Sequence, residues 1–340
     1  MRDLIDEGAV AAWLAKQGVT VEEDLTATRL TGGQSNPTFL LQTGGHRYVL
    51  RRKPPGQLLK SAHAVDREFR VMRALRDTDV PVPDMIALCE DETVTGAMFY
   101  VMAHVEGRTF DDPRVPEVER AERASIYTAL SRVLAAIHSV DVASVGLSDF
   151  GPEGDYFARQ IGRWTKQYRA SETDPIPEMD ALIDWLHDNT PEDDGRRTLV
   201  HGDYRIDNLL FAPTGPTPVA VLDWELSTLG HPFADLAALL MQWRMPTGDE
   251  GRGLAGVDRA ALGIPSDAQF VAQYADRMGI ADMPAMNFYL AFAFFRMGAI
   301  LQGVKKRALD GNASDPERGL KLGAYVPEFA RQGLAAAKDG

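Results

Sequence analysis

Three oxygen-bearing side chains carry the chemistry of this sequence. They are Asp203, Asn208 five positions on, and Asp223 after the apolar run Val219-Ala220-Val221-Leu222. Phosphoryl transfer from a nucleoside triphosphate needs such a set: a carboxylate to receive the proton of an acceptor hydroxyl, and oxygen ligands for a divalent cation. We read Asp203 as the general base or acceptor-orienting group. Asn208 and Asp223 read as ligands of Mg2+ bound with ATP. His201-Gly202-Asp203 by itself would be an ordinary turn with a helix cap. The joint pattern is harder to meet by chance, because a short strand at 198–200 precedes the loop and another at 219–222 delivers Asp223 at its end.

Neighbouring groups divide into ligands and braces. Glu225 could join the metal or stand behind it, whereas Asp207 points away from Asn208 and reads as solvated or loop-bracing. His201 reads as a structural member of the loop. Asp235 lies beside the stripe Phe233, Leu236, Ala237 and Leu240, and a carboxylate in such a place must be paired if buried. It is expected to anchor the backbone of the catalytic loop or His201.

Positioning falls to an N-terminal set of strands and a C-terminal set of helices. A helix is expected over 5–17, strands over 25–30, 38–41 and 48–50, a helix over 61–75, and strands over 85–89 and 97–102. Helices then dominate, over 119–139, 156–169, 178–188, 232–241, 267–278, 284–307 and 316–337. Short strands at 198–200, 209–211 and 219–222 interrupt them. Gly32 and Gly33, with Ser35 after them, either let backbone N–H groups approach phosphates or form a plain hairpin turn. On the strand through 47–53, alternation places Val49, Arg51 and Lys53 on one face. Arg51 or Lys53 would reach the phosphates, and Val49 would cover a base. Glu68 flanks its helix's apolar stripe and reads either as the partner of that cation or as a surface carboxylate. Backbone groups of Ala103 and Val105 are expected to read the adenine edge.

Composition is that of a globular domain with ample core, at 340 residues, 45% hydrophobic and 25% charged. A net charge of −13 argues against a nucleic-acid partner. No stretch reads as a signal peptide or a membrane span, and a single cysteine, Cys89, excludes an intrachain disulfide framework. A cytoplasmic monomer or homodimer is the expectation.

Over residues 25–323 the chain resembles the aminoglycoside phosphotransferase family of the kinase-like superfamily. The resemblance rests on Gly32-Gly33-Gln34-Ser35-Asn36, Arg51, Glu68, the segment from His201 to Asn208, and Asp223-Trp224-Glu225. It implies an α+β fold of bilobal protein-kinase type, an N-terminal nucleotide-binding lobe over 1–103 and a helical catalytic and substrate lobe over 104–340. Tyr48-Val49-Leu50-Arg51-Arg52-Lys53-Pro54-Pro55-Gly56, residues 222–232 and residues 302–307 are similar to the branch found beside acyl-CoA dehydrogenases. That branch implies a hydroxyacyl-CoA or hydroxy-acid acceptor. Arg296, Lys305, Lys306 and Arg307 are then candidate cations for it, or simply complements to a helix C-terminus.

Two departures separate the chain from protein kinases. Arg51 stands where they carry Lys, and Trp224-Glu225 follows Asp223 where they have Phe-Gly. The second implies a site formed constitutively, without an activation-loop flip. The competing expectations are an aminoglycoside acceptor, which would call for carboxylates around the helical site, and a catalytically silent nucleotide-binding scaffold. The scaffold reading would require the loss of the base or a ligand, and none is missing.

Overall fold

The computed structural model describes residues 5–22, 24–30, 36–54, 64–248, 252–313 and 315–338. Along the chain run α1 (Glu7–Lys16), β1 (Thr26–Arg29), β2 (Thr38–Thr43), β3 (His46–Arg52), α2 (Val65–Ala74), β4 (Met85–Cys89) and β5 (Phe99–Ala103). Next come α3 (Arg120–His138), α4 (Tyr156–Ser171), α5 (Pro177–Asp188), β6 (Thr198–Val200), β7 (Leu209–Phe211), β8 (Pro218–Val221), β9 (Thr228–Gly230) and α6 (Phe233–Trp243). The chain ends with α7 (Arg259–Leu262), α8 (Asp267–Met278), α9 (Asn287–Leu309), α10 (Pro316–Gly323) and α11 (Val326–Lys338). The N-terminal antiparallel sheet with its helix and the helical remainder match the expected fold class.

Contacts divide the chain into two units. The first comprises Met1–Phe110, Val142–Leu147 and Ile206–Ser227, and the second comprises Asp111–Asp141, Ser148–Arg205 and Thr228–Gly340. The sequence reading parts the chain after residue 103, whereas the contacts part it after Phe110 and return two later segments to the first unit. For the boundary at Phe110 and the segment Ile206–Ser227 the reason is local. Arg108 and Phe211 exchange backbone hydrogen bonds of 2.8 and 2.9 Å, and the Phe110 and Phe211 rings pack 5.3 Å apart.

In the first unit five strands pair antiparallel in the order β1-β2-β3-β5-β4. One core forms where Val10 and Leu14 of α1 meet Phe39, Leu41, Leu50, Phe99 and Val101, all buried. Burial of such side chains, each worth roughly 1.5–3 kcal/mol, fixes the register of β3 against β5. That register sets Arg51 opposite Tyr100 and Arg52 opposite Phe99. Cross-strand partners share a face of the sheet, so the alternation separates two adjacent arginines. Arg52 is buried on the other side, donating to the Thr95 carbonyl at 2.8 Å with its guanidinium 5.6 Å from the Phe39 ring centroid.

The second unit is built on α9, whose Phe288, Phe292, Phe294 and Phe295 are buried. Gly333 of α11 packs so closely that a Cβ there would meet Leu182 Cδ2 at 2.6 Å. The helix expected over 316–337 is two helices, α10 and α11. Pro327 lacks the N–H that a continuous helix would need at that point, while it is well tolerated in the first turn of a new helix. The strand β9, which pairs with β6, and the single turn α7 are further elements that the sequence reading lacks. Among the described residues no helix is long and apolar enough to cross a membrane.

Candidate active site

In the first unit the β7–β8 hairpin brings two of the expected ligands together. Leu209 pairs with Val221, and just beyond that pair the Leu222 N–H donates to the Asn208 carbonyl at 2.8 Å. Asn208 and Asp223 thus flank the open end of one antiparallel ladder. Asp223 has φ 64 and ψ 56, in the left-handed region that Asp enters at lower cost than most residues. After it the chain turns into a short 3-10 segment, Trp224–Leu226. The buried Trp224 ring fixes that segment, its indole N–H donating to the Val221 carbonyl at 3.0 Å.

Arg51 occupies the centre of this site. Its guanidinium lies 3.1 Å from Glu68 and 2.7 Å from Asp223, with Glu225 at 3.9 Å. The Glu68 carboxylate also accepts from the Tyr100 hydroxyl at 2.9 Å and from the Asn36 amide at 3.2 Å. Burial alone would lower the Arg51 guanidinium's pKa, but Glu68, Tyr100 and Asp223 hold it above its ordinary value. Burial pushes the Glu68 carboxyl up to about 7, against the pull of Arg51 and of the Tyr100 hydroxyl. The helix carrying Glu68 is tied to the Asp223 segment by Arg67, which donates to the Ser227 carbonyl at 3.2 Å. Lys53, the rival cation, instead lies 3.7 Å from Asp66.

The chemistry of these residues suits a divalent cation: carboxylate oxygens of Glu68, Asp223 and Glu225 lie within 4.8 Å of one another, an all-oxygen donor set of the kind a hard cation prefers.

The second unit holds Asp203 at the end of β6. Asp235, from the first turn of α6, is buried and accepts from the His201 N–H at 2.6 Å and the Gly202 N–H at 2.8 Å. This is the backbone anchor expected of it. His138 Nε2 stands 3.4 Å from the same carboxylate, and His138 Nδ1 is 2.8 Å from the Tyr274 hydroxyl. Burial would raise the Asp235 carboxyl. The hydrogen bond from His138 and the nearby imidazoles of His138 and His201 outweigh it and bring the group below the ordinary value. His201 itself is buried, in keeping with a structural role, and its Nδ1 accepts from the Asp203 N–H at 3.3 Å. Gly202 has φ 85, a conformation that favours glycine, so the peptide can turn between anchor and base. The Asp203 side chain is 34% exposed and lies 3.5 Å from Arg205.

The remaining expectations divide. Gly32, Gly33 and Ser35 lie outside the described residues. Ala103 already donates its N–H to the Asp84 carbonyl at 2.8 Å, which leaves its carbonyl; among the described backbone hydrogen bonds none uses the Val105 amide. Asp207 is half-buried, which favours loop-bracing over solvation. Lys305 and Lys306 are paired with Asp174 and Asp310, at 3.1 and 2.6 Å, and so are less available to an anionic acceptor than the sequence suggests. Sequence reasoning assigned no role to Asn36, Tyr100, His138 or Tyr274. Tyr100 follows from cross-strand register, Asn36 from the packing of α2 beside the sheet, and the last two from helix packing, and none of these signals is local in sequence.

Residues 26–289 match the model of the phosphotransferase enzyme family. A Ralstonia eutropha protein of known structure, provisionally named an aminoglycoside phosphotransferase, is 48% identical with a TM-score of 0.90, covering 98% of this chain and 99% of that one. The ternary complex of the aminoglycoside phosphotransferase APH(4)-Ia with AMP-PNP and hygromycin B has a TM-score of 0.62 at 17% identity, covering 98% of this chain and all of that one, a likeness of fold alone. Mouse acyl-CoA dehydrogenase family member 10 is 50% identical over 301 residues, and human family member 11 is 43% identical over 326. These alignments cover 88% and 94% of this chain but only 28% and 41% of the two relatives.

Proposed function

The chain belongs to the phosphotransferase enzyme family, and we propose that it moves the γ-phosphoryl group of ATP, with Mg2+, to a hydroxyl of a small molecule. The observation that carries this reading is Arg51 held between Glu68 and Asp223 at 3.1 and 2.7 Å. Were Mg2+ to take the Asp223 carboxylate, the guanidinium, still oriented by Glu68, would be released to grip phosphate oxygens bidentately.

Asp203 receives the proton as the acceptor oxygen bonds to phosphorus and the bond to the departing ADP breaks. Asp235 keeps the His201–Gly202 backbone fixed so that this carboxylate need not reorganise during the reaction. Asn208 and Asp223 would hold Mg2+, which supplies charge neutralisation along the phosphates. Asn36 and Tyr100 hold the Glu68 carboxylate in place, and through it the orientation of Arg51. The buried Trp224 ring supports a site formed without a regulatory flip.

For the acceptor we favour a hydroxyacyl-CoA or hydroxy acid. The motifs of residues 48–56, 222–232 and 302–307 support it, as do relatives named for acyl-CoA dehydrogenases. The test is ADP release coupled to mass-resolved product, measured over hydroxyacyl-CoA, hydroxy-acid and aminoglycoside acceptors with wild type and Asp203→Ala. Transfer to the first two, slowed about 10²–10⁴-fold by the substitution, is expected. Mg-ATP binding without any transfer, or transfer indifferent to Asp203→Ala, would overturn the reading in favour of a silent scaffold.

A further inference from the structure

Two arginines of the second unit share one aromatic ring. The guanidinium carbons of Arg163 on α4 and Arg296 on α9 lie 5.3 and 5.8 Å from the Trp164 ring centroid. The indole is itself oriented, donating to Gln160 Oε1 at 3.0 Å. A ring face attracts a cation, but two cations on one ring repel each other, and no carboxylate of the described residues pairs with either. Arg159, one turn before Arg163, also lacks a carboxylate partner. Among the described residues it reaches the carbonyls of Pro152 and Gly154 at 3.5 Å, and its buried Nε finds no hydrogen-bond partner. This occurs in a chain with 49 carboxylate side chains against 36 lysines and arginines, where pairing would be easy to supply.

Position gives the cluster its meaning. Arg296 also donates to the Gly202 carbonyl at 3.2 Å, the residue immediately before Asp203. The charge that lacks a counter-ion is therefore attached to the loop that carries the proposed base. A polycationic acceptor would be repelled here, and an anionic one would receive planar, bidentate donors on an aromatic floor.

We infer that Trp164 with Arg163 and Arg296 forms the subsite for an anionic group of the acceptor, a carboxylate or a phosphate. The inference rests on the phosphotransferase reading for the word acceptor, while the subsite itself rests on the arginines alone. Arg163 determines specificity, and Arg296 does two things at once, binding the anion and bracing the peptide before Asp203. Release of the charge repulsion on Trp164 when the anion binds favours acceptors that carry it over neutral ones.

The experiment is calorimetric binding to the full chain, without turnover, in the presence of AMP-PNP and Mg2+. The probes are 3-hydroxybutyrate, its coenzyme A thioester and the neutral 3-hydroxybutyramide, each with wild type and Arg163→Met. At least one charged probe should bind ten-fold or more tightly than the amide, and Arg163→Met should erase that preference while leaving AMP-PNP affinity unchanged. Preference for the free acid identifies a carboxylate as the anion, and preference for the thioester alone identifies the phosphates. Equal binding of all three, no binding of any, or a preference that survives Arg163→Met would overturn the subsite. Arg163 is exposed, and a melting curve of the variant will confirm that the fold is intact. A preference that behaves as expected, beside an absence of phosphoryl transfer, would sink the proposed function and leave the subsite standing.

Discussion

Among the described residues two carboxylates are buried, Glu68 in the first unit and Asp235 in the second, and they are held by opposite means. Glu68 is held largely by charge, with Arg51 at 3.1 Å and two neutral donors beside it. Asp235 is held by N–H donors: two backbone amides at 2.6 and 2.8 Å, with the His138 ring at 3.4 Å. The consequence for the carboxyl is opposite too. Burial prevails at Glu68, which is pushed up to about 7, and the hydrogen bonds and imidazoles prevail at Asp235, which sits below its ordinary value. A long guanidinium side chain can exchange partners, as the nucleotide-binding role proposed for Arg51 would require. Backbone amides cannot leave their position, as suits the peptide before the proposed base, Asp203. Charge is used where the site must rearrange and hydrogen bonds where it must not.

The largest test of this contrast is Asp235→Ala. It strands the buried His201 N–H and the half-buried Gly202 N–H, and breaking such an arrangement costs about 3–5 kcal/mol, so chemical denaturation should show the loss with an unchanged slope. Asp235→Asn retains one acceptor oxygen and should lose less. The pH dependence has a fixed sign. A carboxyl whose folded value is depressed adds stability above its unfolded value near 3.9, and that stability disappears as pH falls through the folded value. Wild type should therefore lose this contribution below about pH 4, and Asp235→Asn should show a flatter profile there. An acid profile identical in the two proteins would mean that the N–H donors are not what holds the charge.

Glu68→Ala should do less to the fold and more to nucleotide binding. Arg51 keeps Asp223 as a partner, so the stability loss should be about 1–3 kcal/mol. AMP-PNP affinity should fall about ten-fold, because the guanidinium loses one of the two anchors that set its direction. A drop in stability that matched Asp235→Ala, with nucleotide affinity intact, would reverse the roles given to the two carboxylates.

The sequence disclosed these two sites unequally. The segment from Thr198 to Asp223 was legible almost to the residue, because short apolar strands bounded by turns leave little freedom and the Asp–Asn offset is a local pattern. Asp235 was readable as an anchor for a similar reason: a carboxylate beside a core stripe must find donors. Arg51 was placed by strand alternation, yet its neighbours Tyr100 and Asn36 were not. Tyr100 meets it only through the β3–β5 register, and Asn36 meets Glu68 only once the sheet and α2 have packed. Arg52, to which the sequence reading gives no role, is buried with its guanidinium over Phe39. The division between α10 and α11 carried a visible signal in Pro327 that helical periodicity alone overrode.

The smallest test concerns a residue that touches neither the base nor the anchor. In a neutral His138 that donates from Nε2 to Asp235, Nδ1 is the acceptor, and the Tyr274 hydroxyl at 2.8 Å is placed to donate to it and so to favour this tautomer. Tyr274→Phe removes one hydroxyl with little change of shape, so it should cost about 0.5–1.5 kcal/mol. The expected signature is more specific than that loss. With Nδ1 freed, the ring can carry its proton on either nitrogen, and nitrogen chemical shifts of His138 should report a mixture where wild type shows the Nε2–H form. The amides of His201 and Gly202 should exchange faster in the variant, because the third donor to their common acceptor is then present only part of the time. A tautomer unchanged in Tyr274→Phe would show that the carboxylate alone orients the imidazole, which would confine the means of fixing the loop to the Asp235 side chain and its two amides.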